Sequence, residues 1–322
     1  MEGRKKNLFW IIGSVVLLAL IVLGGFFVRN YIESRKRHVP IAMALDDGYL
    51  YPTLVSITSM VKNRDKSTIY DYYIMHPEEF SEDSKNKLRA IGEKYNNCNI
   101  NLIDMGQSYK SANDHGHITT PAYYRLSLSD LLPDKDRILW IDGDTLIFGD
   151  LAPMYYDTDM EGLYYRGLLD ENIEGTKDFG VENDHCICDG VMVVNLAELR
   201  KDDVVSKFKT FIEENNDKLK QHDQTVINVV CGHKIAKIDP KYAIFNYYCD
   251  TTGLLIYYNK LIAKDKYTVD ELLAARDNPV LVHCVIKPWK EKTKYFDEWW
   301  AYAKMTDCYD EIVKKYGAVL EN

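Results

Sequence analysis

Arg137-Ile138-Leu139-Trp140-Ile141-Asp142-Gly143-Asp144 is the stretch that decides the fold. Its apolar run has no polar break before Asp142, the pattern of a central strand buried on both faces of a parallel sheet. The strand closes on two carboxylates one residue apart. Gly143 between them permits the backbone to turn, so Asp142 and Asp144 can both reach a single cation. Hard oxygen donors suit Mg2+ or Mn2+, and ligands of open α/β sheets bind beyond the carboxyl ends of the strands. A solvated turn at a strand end would show the same three residues, so the rest of the chain has to decide between them.

Upstream, strand and helix patterns alternate. Residues 39–45 are a short apolar run closed by Asp46-Asp47-Gly48, a strand and a turn. Leu54, Val55, Ile57, Thr58 and Val61 recur at helical spacing within residues 51–62. Residues 69–75 read as a second strand, 81–95 as a polar-faced helix opened by Ser81, and 99–104 as a third strand. This alternation predicts an α/β domain with a mostly parallel central sheet covered by helices. Residues 120–132 are helical in pattern and carry Arg125. The half after Asp144 is mixed, with a strand at 190–195 and a helix at 204–215. Trp299 and Trp300 mark a C-terminal helix; with Trp289 they either form a platform near the site or pack that helix.

Bulk properties narrow the partners. The chain has 322 residues and a net charge of -9. Nucleic-acid binding needs clustered Lys and Arg, so an acidic chain argues against it, and a phosphate-bearing substrate would need a local cation. Seven scattered cysteines, an odd number, make no disulfide framework. His185-Cys186-Ile187-Cys188 lacks the paired C-x-x-C ligands of a structural zinc site and reads as packing cysteines.

Residues 8–28 carry no charge. As a helix they would span roughly 30 Å, the thickness of a bilayer core, with Trp10 near one interface. A cleaved signal peptide has a shorter apolar stretch and a small-x-small cleavage site. The expectation is therefore a tail at 1–7, a transmembrane anchor at 8–28, a tether at 29–38 and one catalytic domain at 39–322. Arg4, Lys5 and Lys6 flank one end of the anchor and Arg29, Arg35, Lys36 and Arg37 the other, so the positive-inside rule does not choose an orientation.

About 140 residues after the paired acids, residues 280–287 run Val-Leu-Val-His-Cys-Val-Ile-Lys, followed by Pro288-Trp289. His283 ends a short apolar strand, and neutral imidazole is a good manganese ligand. A buried, hydrogen-bonded histidine is the alternative. Lys287 is a compact cation suited to phosphate, and Pro288 biases it toward extended backbone. A metal at Asp142 and Asp144 would suit the two phosphates of a nucleotide-sugar.

Together, Asp142-Gly143-Asp144 and His283 through Trp289 resemble family 8 of the glycosyltransferases, the retaining enzymes related to bacterial lipopolysaccharide galactosyltransferase and glycogenin. Three further stretches and one short pair match in order. Ala44-Leu45-Asp46-Asp47-Gly48-Tyr49 resembles the opening strand and loop, implying that Asp46 holds uracil and Tyr49 stacks on it. Thr120 to Leu126 resembles the helix whose arginine, here Arg125, reaches the donor. Asp189-Gly190-Val191-Met192-Val193-Val194-Asn195-Leu196 resembles the stretch beside the donor sugar. His222-Asp223-Gln224 resembles the pair around the anomeric carbon. Asp223, Gln224 and Asp170 are the candidates to stabilise a cationic sugar.

The resemblance implies a single Rossmann-like domain of GT-A type, Mn2+ or Mg2+ on Asp142, Asp144 and His283, and transfer of a hexose from UDP-glucose or UDP-galactose to a carbohydrate, lipid or protein acceptor. A single-pass anchor would suit a type II Golgi protein in a eukaryote and an inner-membrane enzyme facing the cytoplasm in a bacterium. Two departures stand out. Only Cys284-Val285-Ile286 separate His283 from Lys287, two residues fewer than usual and without the family's glycine. Asp189 also adds a negative charge where the family has Asn-Ala-Gly and this chain Cys188-Asp189-Gly190. A membrane-tethered protein that binds a nucleotide-sugar or glycan without turnover is the alternative. A pyrophosphorylase would show a glycine-rich basic loop after the first strand, and neither a P-loop nor a dinucleotide fingerprint occurs.

Overall fold

The expected alternation is present from the first strand: β1 (Arg37–Ala44), α1 (Leu50–Asn63), β2 (Thr68–His76), α2 (Glu82–Lys94) and β3 (Cys98–Asp104). Strands β4 (Arg137–Ile141) and β5 (Thr145–Ile147) flank the Asp142-Gly143-Asp144 turn. Then come β6 (Tyr165–Leu169), β7 (Ile187–Asn195), α3 (Val204–Asn215), α4 (His222–Cys231), β8 (Ile235–Lys237), β9 (Ile244–Phe245), α5 (Val269–Asp277), β10 (Leu281–His283), α6 (Phe296–Ala303) and α7 (Tyr309–Tyr316), with shorter helices between. The computed structural model describes residues 36–110, 120–170, 173, 175–182, 185–247 and 251–321. The expected anchor at 8–28, the tail before it and most of the tether lie outside the described residues. Among those described, no helix is long and apolar enough to cross a membrane.

Seven strands form the main sheet in the order β3-β2-β1-β4-β7-β6-β8. Neighbours β2 and β3, β1 and β4, and β6 and β8 pair in parallel. Strand β7 runs antiparallel to both β4 and β6. That reversal matters for the site. It lays the early residues of β7 beside the carboxyl end of β4, with Ile141 opposite Val191, and the Asp142 amide continues the ladder by donating to the Gly190 carbonyl at 2.8 Å. Ile138, Leu139, Trp140 and Ile141 are all buried, as an unbroken apolar strand requires.

A second sheet, β5-β10-β9, joins the distant part of the chain to the first. Strands β5 and β10 pair antiparallel with His283 opposite Thr145. This register, invisible in the linear sequence, puts His283 one residue from Asp144 in space.

Helix α1 supports the Asp142-Gly143-Asp144 turn with a polar stripe. Thr53, Ser56, Ser59 and Asn63 recur at helical spacing. Ser56 and Thr145 share a hydroxyl hydrogen bond of 2.7 Å, the Ile147 amide donates to Ser59 Oγ at 3.0 Å, and Asn63 Nδ2 donates to the Ile147 carbonyl at 2.8 Å. A Cβ at Gly143 would lie 2.2 Å from Thr53 Oγ1. Gly143 is therefore required by the close approach of α1; its backbone does not enter the left-handed region, so the turn itself does not demand glycine. Residues 120–132, helical in pattern, form a 3-10 helix at Thr120–Ser127 and a short α-turn at Leu128–Leu131. Tyr123, Tyr124, Arg125 and Leu126 are buried in succession, more than a full turn of this winding.

Helix α4 is tied to β7 by two side chains: Gln224, which accepts from the Asp189 amide, and Asn228. Asn228, fully buried, accepts from the Ile187 amide at 2.8 Å and donates to the Ile187 carbonyl at 2.9 Å, as a neighbouring strand would. Replacing it with the similarly sized Asn228→Leu strands two buried backbone groups, each costing about 1–3 kcal/mol. Urea unfolding is expected to show a loss of roughly 3 kcal/mol at unchanged m-value; a loss below about 1 kcal/mol would mean that the Asn228 bonds to Ile187 do not hold α4 in place.

Candidate active site

The site is built around Arg125. Its guanidinium is buried against the Trp140 ring, 4.4 Å from the centroid. It faces three carboxylates: Asp142 Oδ1 at 3.1 Å from Nη2, Asp189 Oδ1 at 3.1 Å from Nη1, and Asp223 Oδ2 at 2.7 Å from Nε. It also donates to the Asp189 carbonyl at 2.5 Å and the Ala122 carbonyl at 3.0 Å. Trp140 Nε1 donates to the same Asp142 oxygen at 2.8 Å. Arg125, expected to reach a donor, thus has its charge engaged with protein groups and sets the positions of Asp142, Asp189 and Asp223.

One cation among three acids, Asp189 and Asp223 buried and Asp142 half-buried, leaves an excess of negative charge. Burial raises the Asp142 carboxyl above its ordinary range despite Arg125, with Asp144 adding to the rise. Burial raises Asp189 well above that range, opposed by Arg125 and reinforced by Asp223. Asp223 is raised by burial too, less so because Arg125 and a hydrogen bond from Asp189 favour its charge. The pair Asp189 and Asp223 is accordingly where burial most favours the protonated form within this cluster.

Asp142, Asp144 and His283 each offer one ligand atom, and these atoms lie within 4.8 Å of one another. They form the one such group of three among the described residues. His283 Nε2 stands 3.3 Å from Asp144 Oδ1, and that oxygen is buried without a hydrogen bond. An unsatisfied buried carboxylate oxygen beside a second acid and an imidazole fits a hard divalent cation. Burial alone would raise Asp144, but Lys287 and His283 hold it well below the usual carboxylate range. Lys287 Nζ pairs with Asp144 Oδ2, and the Tyr49 hydroxyl lies 3.4 Å from the same atom. Gly190 makes room for this arrangement: a Cβ there would sit 2.3 Å from His283 Cε1 and 2.9 Å from Asp142 Oδ2.

The short stretch from His283 to Lys287 still brings the lysine to the paired acids. Cys284 donates its amide to the Asp144 carbonyl at 2.8 Å. Asn246, fully buried, clasps Ile286 from both sides, accepting from its amide at 3.1 Å and donating to its carbonyl at 2.6 Å. Residue pattern gave no hint of Asn246, of Asn228 or of the polar stripe on α1, although that stripe could have been found by reading helical spacing for polar as well as apolar residues. Cys188 Sγ stands 3.9 Å from His283 Nδ1. Cys188 and the buried Cys186 are both free cysteines.

The remaining candidates divide. Gln224 Oε1 accepts from the Asp189 amide at 3.1 Å, which joins it to the cluster. Asp46 Oδ1 accepts from the amides of Gly48 and Tyr49 at 2.9 and 3.2 Å and so shapes its own loop. Tyr49 meets Trp289 edge-on at 6.1 Å and turns its phenol toward Asp144. Asp170 accepts from the Tyr257 hydroxyl at 2.7 Å, on the side of the aromatic residues Phe245 and Tyr257. Trp299 and Trp300 are buried and pack α6.

This fold and site define a glycosyltransferase of the GT-A-like α/β class. Residues 40–293 match Glycosyl transferase family 8, and the chain belongs to that family. It is 26% identical over 277 residues to general stress protein A of Bacillus subtilis, covering 83% of this chain and 93% of that protein. It is 23% identical to the glycosyltransferase GlyA of Streptococcus pneumoniae, covering 84% of this chain but 35% of that longer protein. Among solved structures, the galactosyltransferase LgtC in complex with donor and acceptor sugar analogs has the same fold, with a TM-score of 0.61 at 20% identity, covering 87% of this chain and 96% of that one.

The raised Asp189 carboxyl gives a pH test. The folded state holds a proton that the unfolded chain releases above about pH 3.9. The stability it contributes is present below that pH and is lost as pH rises. Asp189→Asn supplies the same neutral acceptor to Arg125 and a donor to Asp223. Thermal unfolding is expected to show it more stable than wild type at pH 7, with the gain vanishing toward pH 4. A destabilised variant at pH 7 would mean that Asp189 is held as a carboxylate.

Proposed function

We propose that this chain transfers a hexose from a UDP-sugar to a carbohydrate, lipid or protein acceptor, with retention at the anomeric carbon and with Mn2+ or Mg2+ as cofactor. The observation that carries this reading is the convergence of Asp142, Asp144 and His283 within 4.8 Å, beside Lys287 and at the carboxyl end of the central strand. Family membership supports the reaction class, and the name of the solved galactosyltransferase LgtC favours UDP-galactose or UDP-glucose as donor.

In this reading a metal on the three ligands supplies charge stabilisation to the departing diphosphate. Lys287 adds a second cation to the same group. Asp46 and Tyr49 bind the nucleoside end. Gly190 keeps the floor of the site open beside His283. Arg125 acts through Asp142, Asp189 and Asp223, holding them in place. The bond from the anomeric carbon to the phosphate oxygen breaks, and a bond from the acceptor oxygen forms on the same face. The acceptor proton passes to the leaving phosphate oxygen. Asp223, Gln224 and Asp170 are the groups proposed to face the positive charge that develops on the sugar. Residues 8–28 would tether the enzyme to a membrane as a single-pass anchor, the Golgi in a eukaryote or the cytoplasmic face of an inner membrane in a bacterium.

The test is UDP release from a panel of UDP-sugars, with and without Mn2+, by wild type and Asp144→Asn. Metal-dependent release from one hexose donor is expected, falling at least about a hundredfold in the variant, the scale of a lost metal ligand. Equal turnover in EDTA or by Asp144→Asn would remove the metal from the account.

A further inference from the structure

The family match ends at residue 293, yet the chain continues through α6, α7 and a last turn at Ala318–Glu321. This segment packs on Trp289, Tyr51 and Gly48, the neighbours of the two residues assigned to the nucleoside, Asp46 and Tyr49. Trp299 meets Trp289 at 5.3 Å between ring centroids, and Tyr316 meets it at 6.3 Å. Tyr316 also stands edge-on to Tyr51 at 6.4 Å. Glu311 Oε2 accepts from the Tyr51 hydroxyl at 2.7 Å, and the Lys315 ammonium lies 5.3 Å from the centre of each of the Tyr51 and Tyr316 rings. Lys315 also donates to the Gly48 carbonyl at 3.4 Å. Trp289 in turn touches Tyr49, whose phenol faces Asp144.

Two lines of contact therefore run from α7 into the site. One enters through Tyr51 and Gly48 to the Asp46 loop, and the other through Trp289 to Tyr49. Asp47 and Gly48 are exposed, so the loop has little packing of its own on its outer side. Its other tether is Asp47 itself, which accepts from the Ser81 and Ser84 hydroxyls at 2.8 and 2.5 Å at the start of α2.

We infer that the C-terminal segment 296–321 is a positioning element for the nucleotide, with Tyr316 as its central contact: it holds the loop from Asp46 to Tyr51 and the Trp289 ring in their binding geometry. This rests on the reading of that loop as the nucleoside site. Ordering a loop in advance spares its entropy cost at binding. It acts on ground state and transition state alike, so its removal raises KM and leaves kcat unchanged.

The experiment measures UDP affinity by calorimetry with Mn2+, and donor kinetics, for the full chain and for Tyr316→Ala, Tyr316→Phe and Glu311→Ala. Tyr316→Ala is expected to raise both the UDP Kd and the donor KM roughly three- to tenfold, the worth of an aromatic contact, with kcat within about twofold of wild type. Tyr316→Phe keeps the ring and should match wild type. Glu311→Ala, at a side chain 47% exposed and safe for folding, should move Kd in the same direction by about twofold. Unchanged UDP affinity in Tyr316→Ala and Glu311→Ala, or a fall in kcat at constant KM, would overturn the positioning role. Folded wild-type protein that binds no UDP would instead overturn the donor reading, and this inference with it.

Discussion

A single buried guanidinium facing three carboxylates, two of them buried and one half-buried, is the constraint on which the site depends. Arg125 sits on Trp140 and reaches Asp142, Asp189 and Asp223 at once. Taking charges out of water is costly unless they are paired, and here the acids outnumber the cation. The cluster relieves the excess in two ways that the geometry makes specific. Burial raises the carboxyls of Asp189 and Asp223, which favours the neutral acid there. At the other edge, Asp142 turns toward Asp144 and His283, where a divalent cation can offset the remaining charge. The same arrangement links Asp189 and Asp223 to the Asp142, Asp144 and His283 group through one rigid, planar side chain.

The scaffold serves this cluster from four directions. Strand β4 delivers Asp142, the reversed β7 delivers Asp189 and Gly190, α4 delivers Asp223 and Gln224, and β10 delivers His283 through its pairing with β5. Small or polar residues at the junctions let these elements close in. Gly143 admits α1, Gly190 admits His283, and Asn228 stands in for a strand beside β7. Each of these contacts tolerates little added volume, since a buried side chain there meets backbone or another functional group.

Much of this was legible in the sequence. An unbroken apolar run fixed β4 as a central strand, alternating periods gave β1 through β3 with their helices, and residues 204–215 were read as the helix that α3 is. Asp142 and Asp144 followed from the strand end and the glycine. What escaped the sequence was whatever depends on long-range register. The β5–β10 pairing joins positions about 140 apart, the direction of β7 is set by its crossover, and the clasp of Asn246 on Ile286 spans 40 residues. The role of Arg125 changed for the same reason: its helix pattern was visible, but the acids around it come from three other elements. The shorter loop before Lys287 looked like a defect in the linear pattern, and Asn246 supplies the backbone bonds that let it reach Asp144.

The central claim is that Asp142, Asp144 and His283 bind one divalent cation together with the nucleotide. Anomalous X-ray diffraction from crystals of the protein soaked with MnCl2 and UDP tests it most directly. The account predicts one manganese peak shared by Asp142, Asp144 and His283, with density for the diphosphate against it and Lys287 drawn from Asp144 toward phosphate. UDP bound with no manganese peak among these three residues, and Lys287 still paired with Asp144, would contradict it.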